Sequence, residues 1–474
     1  MKEHLKIKLH KNADEVIFEK YLKNLNIEFE KIEYFEGYKI YKINKLDDEK
    51  AKEISKRSEI SKILPMRRYF LDFKTRVIDK KIELNLPEKN ETYPVVGVID
   101  NGVSKISRIS PWLYEDSKKY VKEKLSFTHG TFVAGVILKG NNYPNVKIYD
   151  GAIIPDFNVI HLEEDELILR LKKVIEEHSD IKVWNLSISI RYPVELDWIS
   201  DFGIVLDYLQ EKHDILILKS CGNGDFKAKE RGVILEGADS LRALVIASCN
   251  KNQEISSFSL GGKDHKILSK PDIATYGGDV SYSEEGKIKV EGVSSFSPDG
   301  EIVSSFGTSF ATARMTRIAG SIYSYKKAAS TLFIKAFLIH NSIKPEKDLC
   351  NFGYFQEIEN LEKNIEKLNV VEDEISENKK IMFKHKGKLL FTLISEVELD
   401  YHQENGYILS DIEIEVRCKG KILENRYGKY KKFTNIKKYE FDTGDDLKEV
   451  ELLLNKREID KNNLPIKFCL VWEK

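Results

Sequence analysis

The hydrophobic rhythm of the chain changes twice, and the changes divide it into three stretches. In the first, HLKIKLH alternates Leu5, Ile7 and Leu9 with charged residues, the two-residue period of a strand with one buried face. Asn12 followed by Glu15 opens a helix through EVIFEKYLKNL, with the Asn oxygen as its cap. FEKIEYFEGYKIYKI reads as a hairpin turning at Glu36-Gly37, a charged helix runs from about Asp47 to Ile63, and RRYFLDF supplies a last strand. The order βαββαβ predicts a ferredoxin-like α+β unit over residues 1–75. The polar stretch that follows, through DKKIELNLPEKNETYP, reads as a linker over residues 76–93.

From Pro94 the pattern becomes bare apolar runs, VVGVID, VKIYDGAIIP, IKVWNLSIS, DILILKS and ALVIAS, as expected of strands covered on both faces. Helical patterns lie between them; DELILRLKKVIEEH places Leu167, Leu171, Val174 and Ile175 at helical spacing. Strands alternating with helices predict an α/β fold, a parallel sheet with helices on both faces, whose active site gathers at the carboxyl ends of the strands. After about residue 376 the helical pattern stops. KLLFTLISEVEL, SDIEIEVRC, VELLLN and PIKFCLVWE read as strands, with Ile412, Ile414, Val416 and Cys418 on one face, and predict a β-sandwich over residues 376–474.

Composition adds mostly exclusions. A chain of 474 residues suffices for about three domains, and a net charge of -1 offers no bulk attraction to nucleic acid or to a membrane. No segment approaches the roughly 20 apolar residues that span a bilayer, and the N-terminus has no apolar signal core. Five scattered cysteines (Cys221, Cys249, Cys350, Cys418 and Cys469) form no CxxC pair, which argues for a reducing, cytoplasmic setting and against a zinc site.

Three polar residues of the middle stretch stand at the ends of apolar elements. Asp100 closes PVVGVID, His129 lies where THGTFVAGVI begins a helix, and Ser309 lies in GTSFATA. Each alone has an ordinary structural explanation, since Asp-Asn-Gly is a turn sequence and Ser a favoured cap. Together they supply a hydroxyl, a base to take its proton and a carboxylate to orient the base.

Residues 94–368 resemble a subtilisin-type serine protease domain. The resemblance rests on VVGVIDNGV, HGTFVAG, WNLSIS, CGNGD, KPDIATYG and GTSFATARMTRIAG, six blocks in one order. It implies a subtilisin-like fold of a divergent intracellular branch, with Ser309 as nucleophile, His129 as general base and Asp100 as its orienting partner. It further implies that Asn223 donates its side-chain N–H to the oxyanion beside the backbone N–H of Ser309. Asn185, Leu186 and Ser187, with Ser220, Cys221 and Gly222, would line the substrate. Four features depart from the family pattern: Ser189 for a Gly, Cys221 for a small apolar residue, Tyr276 for a Pro, and Ala313-Arg314 for Pro-His. None removes a proton-transfer or oxyanion group. By the same resemblance the N-terminal unit is either a propeptide-like inhibitor, released by self-cleavage within residues 76–93, or a permanent interaction domain; the need to restrain an intracellular protease favours inhibition.

The expected activity is therefore hydrolysis of peptide bonds by a serine endopeptidase acting on proteins or peptides. The alternative is a non-catalytic subtilase scaffold that holds extended peptides. No cofactor is expected, calcium is unassigned for want of an aspartate-rich loop, and an AAA-type ATPase partner is implied only by resemblance, the chain having no P-loop pattern. Asp225 favours a basic substrate side chain only if it faces the pocket; an exposed turn is the other reading.

Overall fold

The computed structural model describes residues 3–473 apart from 70–72, 115–118, 141–142, 144, 157–161, 189, 191, 226–231, 263–264, 283–285, 327–328, 344–350, 405, 427–429, 431–432 and 460–463. Its first elements are β1 (His4–Leu9), α1 (Glu15–Asn24), β2 (Phe29–Phe35), β3 (Tyr38–Asn44), α2 (Asp48–Ile54) and β4 (Ile60–Pro65). They form one antiparallel sheet in the order β2-β3-β1-β4, the ferredoxin-like arrangement. Two details differ from the expectation. The cap of α1 is Asp14, whose carboxylate accepts the Ile17 N–H at 3.0 Å, and not Asn12. The second helix stops at Ile54, and β4 is built from the following ISKILP, where the β-branched Ile60 and Ile63 suit a strand that pairs with β1 and packs on the small core. Among the described residues of RRYFLDF, Arg68–Tyr69 is strand (β5); it leaves the first sheet and pairs with β9 (Leu162–Glu163).

The polar stretch after this unit lies against the middle of the molecule. Arg76–Val77 (β6) is a short strand, Ile82 is buried in the main core, and the Trp112 indole N–H donates to the Asn85 carbonyl.

The central sheet begins with β7 (Val95–Asp100), followed in the chain by α3 (Thr128–Leu138), β8 (Lys147–Ala152), β9, α4 (Glu164–Glu177), β10 (Val183–Leu186), α5 (Asp201–His213), β11 (Leu216–Ser220), β12 (Leu244–Cys249) and β13 (Ile273–Tyr276). After a hairpin, β14 (Asp279–Tyr282) and β15 (Ile288–Glu291), come β16 (Val293–Phe296), β17 (Ile302–Ser305), α6 (Thr308–Tyr325), α7 (Thr331–His340), β18 (Ser342–Ile343) and β19 (Tyr354–Phe355). The sheet order is β18-β19-β13-β12-β11-β10-β7-β8, parallel except for the edge strand β18.

Alternate residues of these strands enter two cores. Val96, Val98, Leu218 and Ile246 meet α3, α6 and α7 on one face; Ile99, Ile217, Val245 and Ala247 meet α4 and α5 on the other. This is why the strands read as bare apolar runs. β7 is flanked by β8 on one side and β10 on the other, so the chain order reverses at its carboxyl end, where Asp100 stands. Such a switch point opens a crevice for a ligand.

A short helix α8 (Leu361–Glu366) leads to the last strands, β20 (Leu368–Ile375), β21 (Lys379–His385), β22 (Lys388–Ser395), β23 (Ser410–Cys418), β24 (Lys421–Ile422), β25 (Ile436–Asp442), β26 (Lys448–Glu458) and β27 (Ile466–Glu473). They make two antiparallel four-stranded sheets, β20-β27-β22-β25 and β21-β26-β23-β24, closed over Phe391, Ile412, Val416 and Leu452. The Lys438 ammonium fastens this sandwich to the centre by donating to the Ile339, His340 and Ser342 carbonyls at the end of α7.

Candidate active site

The carboxyl end of β7 and the amino ends of α3 and α6 converge. Asp100, fully buried, receives the His129 Nδ1–H on both carboxylate oxygens, at 2.8 Å and 3.0 Å. That contact puts the ring proton on Nδ1 and leaves Nε2 free to accept one.

The approach is close enough to dictate two neighbours. A Cβ at Gly130 would sit 2.4 Å from the Gly102 carbonyl oxygen, so only glycine lets α3 start this near to Asp100. The helix has no capping side chain of its own, because its cap position is Phe127 in a left-handed conformation (φ 57°). Asn101 supplies the cap from outside. Its Oδ1 accepts the Gly130 N–H at 2.8 Å and its Nδ2 donates to Ser126 and Thr128.

At α6, Thr308 donates both its N–H and its hydroxyl to Asn223 Oδ1, at 3.0 Å and 2.9 Å. A backbone N–H can bond only the oxygen end of the amide, so these two contacts fix which way the amide faces. The Asn223 NH2 then lies beside Gly307, where an added Cβ would come within 3.4 Å of it. Neither this NH2 nor the Ser309 N–H, one of the unpaired donors of a first helical turn, has an acceptor among the described residues. Both open donors lie at the start of α6, where the helix end is positive.

The Ser309 hydroxyl donates to the Ser187 carbonyl at 3.0 Å, and among the described residues no hydrogen bond joins it to His129. The imidazole is covered instead. The edge of Phe73 packs on it with ring centres 5.0 Å apart and planes at 86°, and the same ring touches Phe132 and Phe310. Just beyond Phe73 the Lys74 carbonyl accepts the Ser305 hydroxyl at 2.7 Å, and β6 pairs with β17, the strand that runs into α6.

The residues expected to line the substrate are held from behind. The side chains of Asn185, Leu186, Ser187, Ser220 and Cys221 are all buried. Asn185 Nδ2 donates to Thr316, and the Ser187 hydroxyl contacts Asn185 Oδ1 and the Ser309 carbonyl. Gly222 adopts φ 103° against Leu235. The Cys221 thiol, within 3.1 Å of the Leu260 carbonyl, is pushed up by burial to about 11 and is a neutral core filler. Ser189 and Cys350 lie outside the described residues, and Asp225 is exposed. Ala313 is buried on α6, whereas Arg314 lies over the Tyr276 ring, so two of the departures touch each other. Among the described residues no group of three or more His, Cys, Asp or Glu side chains is placed to hold a metal ion, and no helix is long and apolar enough to cross a membrane.

A doubly covered parallel sheet with Asp, His and Ser delivered to its carboxyl edge defines a protease of the subtilisin class. The chain belongs to the subtilase family, peptidase S8, whose model matches residues 76–369, and it is a serine endopeptidase. Among solved structures it is similar in fold to the epidermin leader peptide processing serine protease (EpiP) of Staphylococcus aureus. A mutant form of that protein aligns with a TM-score of 0.53 at 15% identity, covering 77% of this chain and 99% of that one. The form without that mutation gives 0.51 at 16%, covering 77% and 98%. No curated protein sequence matches the chain.

Sequence reasoning missed three residues of this site. In the sequence Asn101 is part of a turn signal, Thr308 carries no signal of its own, and Phe73 ends a strand pattern. The first two lie inside recognised blocks, and their role needed only the question of which side chain satisfies the open end of a helix.

Proposed function

We propose that Asp100, His129 and Ser309 act as a catalytic triad that cleaves peptide bonds through an acyl-enzyme. Ser309 Oγ attacks the scissile carbonyl carbon as its proton passes to His129 Nε2. The oxyanion receives hydrogen bonds from the Asn223 NH2 and the Ser309 N–H. As the C–N bond breaks, His129 gives the proton to the leaving amine, and a water molecule then releases the acyl group by the same route in reverse. The observation that supports this best is the hold of buried Asp100 on His129 Nδ1, which fixes the tautomer a general base needs. Buried side chains at Asn185–Ser187 and Ser220–Gly222 leave backbone as what these segments offer an extended substrate.

The resting state is held by the N-terminal part of the chain. Phe73 on the imidazole and Ser309 turned to Ser187 describe a triad out of register, with the segment from Phe73 to Val77 lying as a strap before the nucleophile. Labelling with a fluorophosphonate probe tests the assignment. Ser309→Ala is expected to lose both labelling and peptide hydrolysis; cleavage by that variant at the parent's rate refutes it, and a parent chain, freed of its strap, that ignores probe and peptides would mark a binding scaffold.

A further inference from the structure

Behind α6, away from Ser309, lies a half-open cavity of about 600 Å³. Arg314, Arg317 and Ile318 of α6 form one wall, and Ser309, His129 and Phe73 are not part of it. Arg314 is five residues past Ser309, about 7 Å along the helix axis. Four cations line the cavity, Lys139, Lys251, Arg314 and Arg317, against one carboxylate, Glu357. In a chain of net charge -1 this concentration of positive charge is local, and the carboxylates beside it are Glu357, loosely paired with Arg314, and Glu291, which accepts the Lys251 N–H.

The cations are held in place. Arg317, only 4% exposed, donates to the Ile137, Gly140 and Tyr143 carbonyls, while its Nε has no hydrogen-bond partner among the described residues. The Lys139 ammonium is fixed on Ser294 Oγ at 2.7 Å. Arg314 is poised between the Tyr276 ring and Glu357 Oε2, the latter at a loose 3.9 Å. Burial and the nearby Arg314 charge push the Lys139 ammonium down, and burial also pushes Arg317 down, to about 10, with Arg314 acting in the same sense. An anion bound among them would relieve that repulsion. The other walls carry Tyr143, Tyr276, Tyr354 and Phe355, with the amides of Asn250, Gln253 and Gln356 between. Cations beside aromatic faces and side-chain amides match a planar ring that carries phosphate. Two of the lining residues, Tyr276 and Arg314, are positions where this sequence departs from the pattern of the family.

We propose that this cavity binds a small phosphorylated compound with a planar ring, of the nucleoside phosphate class, with its phosphate held by Lys139, Arg314 and Arg317. The test uses the full chain carrying Ser309→Ala, so that binding is read apart from activity. Calorimetric titration with inorganic phosphate, AMP and ADP is expected to show saturable binding, with AMP and ADP tighter than phosphate. Arg314→Ala and Lys139→Ala, both at the rim, are each expected to weaken nucleotide binding about tenfold, and Glu357→Gln to tighten it. No binding of any of the three probes at millimolar concentration overturns the proposal. So does nucleotide binding that both rim variants leave unchanged, or inorganic phosphate binding as tightly as AMP.

Discussion

At the scale of single residues, the oxyanion role proposed for Asn223 depends on Thr308. Both hydrogen bonds from Thr308 end on the amide oxygen, so the donor end is presented without rotating freely, and a donor fixed in advance costs no reorganisation when charge develops. Asn223→Ala is accordingly expected to lower kcat by about 10²–10³ with little change in KM. Thr308→Val keeps the backbone contact and loses the hydroxyl, and a fall in kcat of about tenfold, again with KM nearly constant, is expected. Steady-state kinetics on one peptide substrate decide both, and an unchanged kcat in Asn223→Ala would remove it from the mechanism. Asp100, His129, Ser309 and Asn223 are legible in the sequence as candidates because each stands in a compact motif whose order carries information. Asn101 is not, because its role exists only once the end of β7 meets the start of α3.

At the scale of elements, the restraint proposed above rests on β6 and the Phe73 that precedes it. Three residues lie between Phe73 and Val77, yet that short span contacts both the His129 ring and β17, the strand leading to Ser309. From Lys74 onward the sequence is mostly polar, so Arg76 and Val77 read as linker while Phe73 reads as the end of a strand; a strand that borrows its partner from a distant hairpin leaves no periodic trace. The same limit explains β4, where a charged stretch looked helical until its two isoleucines were claimed by β1. The long alternating and bare apolar runs were legible, because burial on one or two faces writes itself directly into the pattern. Phe73→Ala removes the aromatic cover from His129 while leaving β6 in place. The intact variant is expected to react with a fluorophosphonate several-fold to about tenfold faster than the parent, as befits the loss of a buried aromatic contact worth about 1 kcal/mol. Equal labelling rates would mean that the ring does not restrain the site.

At the scale of the whole molecule, the N-terminal sheet is docked by charge as well as by apolar packing. Two helix starts, those of α4 and α5, bring Glu164 and Asp201 together under β1; Lys6 pairs with both, at 2.8 Å and 2.6 Å, and Lys8 pairs with Asp201 at 2.8 Å. Burial opposes the charged forms, but Asp201 and Glu164 hold the Lys6 ammonium above its ordinary range, and Lys6 and Lys8 hold Asp201 below its own. A loop of the C-terminal sandwich closes over the same unit, with Tyr401 against Phe35 and Glu404 accepting the Lys11 N–H. None of this was legible beforehand, since charged residues on a strand read as a solvated face until a partner surface covers them.

One member of the cluster is out of balance. Glu236, reached by Arg67 at 3.4 Å, is pushed up to about 8 by burial and by Glu164, with Asp239 adding to the push and Lys6 and Arg67 opposing it. A carboxyl raised from 4.5 binds its proton more tightly in the folded chain than in the unfolded one. The stability it contributes is therefore complete below about pH 4.5 and is lost as the pH rises through about 8. Glu236→Gln carries no titrating proton and should escape that loss. Measured by thermal unfolding in the Ser309→Ala background, its Tm relative to the parent is expected to climb by a few degrees between pH 5 and pH 8. A difference that stays level across that range would show that Glu236 is already ionised in the folded protein, and that the docked N-terminal sheet tolerates a third buried carboxylate beside Glu164 and Asp201.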